Sequence, residues 1–327
     1  MLKKLIKAGE YTHMLLILFI LVLFYFTPSV EFGENNTLPE AATLGKWISV
    51  NLSNLPGGTF INLILIIGLA LYVNYLGVRR EVLPRRSYLA ATIFAVLLLF
   101  TGNGQFTTSS LLLCLLLTYS LDNMLNLFGK QYPLMLVLNA SMAISVSSMI
   151  IPQAVIFILF ILLSFFTYSV NSWREWVISV IGLILPYLYL FFAWFWNDNL
   201  DILLNMFHEF SRNILPVFTM PTTYQWISLG ILFLIIAISS LFFVGEASDK
   251  IISTRKRMWV TYQFAFISLV ALVASGEVYY LWLPVIYVPA TIMVGFYVHH
   301  HKKSRLFDIL FILFIVSVFL NRLPFNA

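Results

Sequence analysis

Runs of about 20 apolar residues recur from one end of this chain to the other, and each is long enough to cross a hydrocarbon core of ~30 Å. Within lipid, every backbone N–H and C=O must find an internal partner, which leaves a helical bundle or a closed barrel as the spanning folds. A barrel is written in alternating segments of ~10 residues, and the runs here are continuous. Composition agrees: 61% of residues are apolar, 10% are charged and the mean hydropathy is +0.92, whereas soluble domains carry about 25% charged residues. The 327 residues are therefore read as one all-α integral membrane domain, 1–327, a polytopic transmembrane helical bundle. The lone cysteine, Cys114, lies inside an apolar run, so neither an intrachain disulfide nor a CxxC metal site can form.

Eleven spans are expected, within a range of ten to twelve. The first, about 14–27, follows Lys3, Lys4 and Lys7 and lacks a small-residue cleavage site, as an uncleaved signal anchor does. The others fall near 59–77, 87–101, 106–127, 134–151, 153–170, 176–196, 226–244, 258–275, 281–298 and 306–320. Basic residues gather in cytoplasmic loops, and this count obeys that rule. With the N-terminus inside, only Lys46, Arg212 and Arg322 of the 19 Lys and Arg fall outside. The net charge of +5 thus reflects orientation in a bilayer and not a nucleic-acid surface. The expected topology is N-in/C-out in a bacterial inner membrane, with lipid as the surrounding partner.

Two long polar breaks interrupt the apolar pattern, 28–58 and 197–225, and both fall on the outer face. In the first, Leu44, Trp47, Ile48, Leu52 and Leu55 are spaced by three or four. In the second, Leu200, Leu203, Leu204, Phe207, Ile214 and Leu215 form a stripe beside Asp198, Asp201, His208, Glu209 and Arg212. One apolar face without span length predicts an amphipathic helix lying in the interface, so two such helices are expected on the outer face.

Chemistry, if any, is expected there. Glu31, Glu34 and Glu40 could hold a divalent metal through oxygen ligands or serve as a base; equally, they could simply solvate an outer loop. His208 and Arg212 could meet a phosphate, or form the polar face of a surface helix. No tight metal-binding spacing is present. His299, His300 and His301 precede Lys302, Lys303 and Arg305 and read as a basic anchor at the inner edge. Asp122, with Asn123 and Asn126, is the leading polar group within a span, with a helix cap as the alternative. Asn139, Ser141, Ser145 and Ser148, with Ala140 and Ala143, suit close packing between helices.

An acid-bearing outer loop after the first span, then a membrane-parallel helix and short hairpins, resembles the C-type glycosyltransferases, which act on lipid-linked sugars. That resemblance implies a catalytic role for Glu31, with Glu34 the lesser match. The LPRR, Gly-Asn-Gly and NSWREW turns within 83–196 are similar to those of uncharacterised multi-pass inner-membrane proteins of Bacteroidota. Three functions follow as expectations. The first is a glycosyltransferase-like or degenerate transferase using Glu31 and Glu34, with His208, Arg212 and Glu40 contacting a lipid-linked substrate. The second is a non-catalytic scaffold of a cell-envelope assembly, docking a membrane-protein partner. The third is a transporter or flippase.

Overall fold

A computed structural model describes residues 58–80, 82–83, 88–100, 108–130, 133–170, 172–197, 223–275 and 281–300, with short pieces at 309–310, 313–314 and 316–317. Nine α-helices account for almost all of it: α1 Gly58–Arg79, α2 Leu89–Phe100, α3 Thr108–Leu125, α4 Leu134–Ile150, α5 Ile158–Tyr168, α6 Trp173–Trp196, α7 Thr223–Ala247, α8 Ile252–Ala274 and α9 Leu283–His300. A 3-10 turn, Pro152–Phe157, leads into α5. Each overlaps in position one of the second to tenth expected spans, although only six of the nine are long and apolar enough to cross a membrane. The first expected span lies outside the described residues, as do the interfacial segments at 28–57 and 198–222.

One boundary differs from expectation. Helix α8 begins at Ile252, so Arg255, Lys256 and Arg257 occupy helix and not loop. Long basic side chains can lie along a helix and keep their charge at the surface, so charge alone does not break a helix there.

Six helices, α1, α3, α6, α7, α8 and α9, are long and apolar enough to cross a membrane; α2, α4 and the Pro152–Tyr168 stretch are shorter. The 12 residues of α2 reach only about 18 Å at 1.5 Å per residue. Ala90, Ala91, Phe94, Leu97 and Leu98 are all buried in the protein, and a helix sheathed by neighbours need not reach both lipid surfaces. Apolar faces decide position elsewhere too. Helix α9 is apolar around its circumference and sits at the centre, 89% buried, packed by α1, α2, α3, α7 and α8. Trp282 stacks on Phe157 at 5.9 Å, and Phe264 meets Phe157 and Phe160 edge-on. Cys114 is wholly buried against this centre, its Sγ 3.4 Å from the carbonyl of Pro284. A maleimide should leave native protein unlabelled and react once the bundle is denatured; fast labelling of the folded protein would refute this core.

Helix α6 is the opposite case. Only 17% of it is buried, and its main neighbour is α4. Along that seam Ser148 shares a 2.7 Å hydrogen bond with Tyr187, and Ser145 donates to the carbonyl of Leu183 at 2.7 Å. Pro186 has no N–H for the carbonyl of Gly182 and disturbs that turn, so a serine from the next helix restores polar pairing there. The serine stripe of α4 is thus a packing device. The rest of α6 is bare apolar surface, bounded by Trp173 and Trp196, each strongly exposed. Their separation along the helix is roughly 34 Å, which sets an indole near each boundary of a bilayer, where tryptophan concentrates.

The helices alternate in direction. Contacts between the end of α1 and the start of α8, the end of α3 and the start of α8, and the α7–α8 turn and the end of α9 gather these termini at one end of the bundle.

Candidate functional site

The residues singled out for chemistry, Glu31, Glu34, Glu40, His208 and Arg212, lie outside the described residues. Gly58, Trp196 and Thr223 are the helix termini that adjoin 28–57 and 198–222, and all three occupy the end opposite Arg79 and Arg80.

The most developed polar site among the described residues sits at the other, basic end. Arg80 follows the last turn of α1, and its backbone N–H still bonds Leu76. It is 5% exposed, an expensive position for a guanidinium without partners. Asp122, one turn before the end of α3, supplies the counter-ion: Arg80 Nε donates to its Oδ1 at 3.0 Å and Nη2 to the same oxygen. Arg80 Nη1 donates to the side-chain oxygen of Asn126, and the Tyr72 hydroxyl donates to Asp122. From α8, Arg257 Nη1 donates to the Arg80 carbonyl at 3.2 Å. One cluster therefore ties α1, α3 and α8 together.

Beside it, the α3–α4 turn carries Phe128 under Lys256, with Nζ 5.7 Å from the ring centre. Gly129 permits that turn by adopting φ +76°, a left-handed conformation that costs glycine little. Phe128 also packs 6.2 Å from the ring of Tyr168, the last residue of α5. Ser169 ends that helix in the left-handed region, and Val170 N–H closes back onto Phe165 at 3.0 Å. This terminating motif fixes Tyr168 at the basic end.

Asp122 and Asn126 were legible in sequence as a polar pair. Asn123 turns away and donates to the Tyr119 carbonyl at 2.8 Å. The partner that sequence reading missed was Arg80, assigned only to a basic turn. A signal did exist: α1 and α3 run in the same direction, so their final turns reach the same depth. Of the histidine and basic run, His301, Lys302, Lys303 and Arg305 lie outside the described residues. His300 stacks on Phe296 at 4.0 Å and faces Lys250 Nζ at 3.2 Å. Among the described residues no three His, Cys, Asp or Glu side chains converge to hold a metal.

At the opposite end Thr108 donates to Asn62 at 2.8 Å, joining the starts of α3 and α1. Among the described residues, fold and site define a class: an all-helical bundle with six helices long and apolar enough to cross a membrane, tied by polar contacts at one end. Compared with protein-family models, with curated proteins and with solved structures, the chain matches none.

Proposed function

We propose that this is a multi-pass protein of the bacterial inner membrane, N-in/C-out, that handles an amphiphilic or lipid-linked substrate at the outer leaflet as a glycosyltransferase-like or degenerate transferase. One observation supports the reading: the helix termini that adjoin both long polar segments, Gly58, Trp196 and Thr223, belong to the end opposite the basic cluster. By the tendency of basic ends to face the cytoplasm, the helix ends that adjoin both segments would face outward. Glu31 is then the base or metal ligand, assisted by Glu34. Arg212, His208 and Glu40 contact the head group.

A scaffold reading has one observation of its own. Helix α6, whose end leads into 198–222, presents an uncovered apolar face along its length. Glu31→Gln and Glu34→Gln separate the two. The transferase reading expects each variant to lose rescue of a deletion strain while its membrane abundance stays normal. Full rescue by both variants would sink catalysis and leave the scaffold.

A further inference from the structure

We infer that α6 is hinged at Pro186: its near half, on the side of the basic end, is fixed to the bundle, and its far half, 188–196, swings in the lipid as an arm. The device is independent of the transferase reading, since it concerns the helix that leads into 198–222 and not the chemistry of that segment.

The near half is held from two sides. Trp176 packs edge-on against Phe165 and Phe166 of α5, at 5.3 and 6.0 Å. Gly182 lies so close to α4 that an added Cβ would overlap Ser141 Oγ. Glu175, Ser179, Gly182 and Pro186 are all buried. Attachment then stops, because α4 has 17 residues against the 24 of α6. It ends at Ile150, just beyond Ser148, the residue that meets Tyr187, and the chain turns off through Pro152–Phe157. Across 188–197 no residue is buried. Asn197 Nδ2 donates back to its own helix, to the Ala193 carbonyl at 2.8 Å.

Acyl chains cover such a surface without fixing it, so the far half lacks the buried contacts that hold a helix in one position. The weak point of the backbone falls at the edge of the attachment. Pro186 withdraws the N–H owed to the Gly182 carbonyl, and helices bend where that bond is missing. Ser145 and Ser148 grip the same turn through Leu183 and Tyr187 and bias the arm toward its docked position. An arm of nine residues is about 14 Å long, and a turn of about 20° at its base moves its tip by about 5 Å. Asp198 is bonded to Asn197, so the start of the second polar segment must follow.

The full-length protein in lipid nanodiscs would carry nitroxide pairs on introduced cysteines, read by pulsed electron-spin distance measurement. Phe192→Cys in the far half and Val180→Cys in the near half are each paired with Val273→Cys on α8, all at exposed sites; Cys114 stays in place, wholly buried. The Val180 pair should give a narrow distribution and the Phe192 pair one broader by about 5 Å. Pro186→Ala, which restores the backbone donor, should narrow the Phe192 pair to the width of the Val180 pair. Ser148→Ala should raise the swung population about threefold, the effect of one interhelical hydrogen bond in lipid. Equal widths for the two pairs would overturn the hinge, whether both were narrow or both broad, since the helix would then be fixed or moving as a whole. A Phe192 distribution left unchanged by Pro186→Ala would overturn it too. If Pro186→Ala fails to fold, the comparison of the two pairs decides alone.

Discussion

Asp122→Leu should destabilise the detergent-solubilised protein by about 3–5 kcal/mol, the usual cost of leaving a buried charge without its counter-ion. Arg80 is 5% exposed, and its Nε and Nη2 both end on the Asp122 carboxylate. Once that carboxylate is gone, the guanidinium keeps only Asn126 as a side-chain acceptor among the described residues. The Asp122 side chain is 17% exposed, so some water can reach the cluster, and the lower half of the range is expected. Asp122→Asn should cost less, because an amide oxygen can still accept. The sharper result is the double variant Arg80→Met with Asp122→Leu, which should regain most of the lost stability by removing the buried charge together with its partner. Unfolding curves for the three variants decide the matter. A double variant no more stable than Asp122→Leu would mean that the two residues do not act as a pair.

Gly182→Val should open the α4–α6 seam. A Cβ at Gly182 would overlap Ser141 Oγ and stand 3.0 Å from the Leu138 carbonyl. The hydroxyl can rotate, but the backbone oxygen cannot move without shifting α4. Overpacking of this kind costs about 1–3 kcal/mol, and valine adds two methyl groups to the clash. Because α6 has little other attachment, the expected outcome is separation of this helix and not collapse of the bundle. Paired cysteines across the seam should stop cross-linking, while Cys114 stays protected. Gly230 lies in α7 with nothing within 4 Å of an added Cβ, so Gly230→Ala is the control and should be silent. Intact cross-linking in Gly182→Val would show that the helices do not depend on this close approach.

Most helices were readable because a run of span length leaves little choice of structure in lipid. Their placement was not. Helices α6 and α9 are both continuous apolar runs, yet α6 is bare and α9 is fully enclosed. Acyl chains are as apolar as leucine, so hydropathy cannot distinguish lipid from protein as the covering. The shortness of α2 was visible, but not its enclosure. At the site, Asp122 and Asn126 announced themselves as polar residues in an apolar run. Arg80 hid among other basic residues, since its difference from Arg79 lies in burial. Tyr168 gave no signal, because aromatic residues near span ends are ordinary. Glu31, Glu34, Glu40, His208 and Arg212 lie outside the described residues, and their chemistry rests with the rescue experiment.

The position of α9 also sets an order of events. Its contacts reach far back along the chain: Pro284 meets Cys114, 170 residues earlier. Ribosomes add about 5–20 residues per second, so α3 waits roughly ten to thirty seconds in the membrane before its central neighbour is made. During that interval the place of α9 must be filled by something else, lipid chains or an insertion factor, which the helix then displaces. Helix α9 is the last of the nine to be synthesised and the one at the centre, so the centre of the bundle cannot close before elongation has passed it.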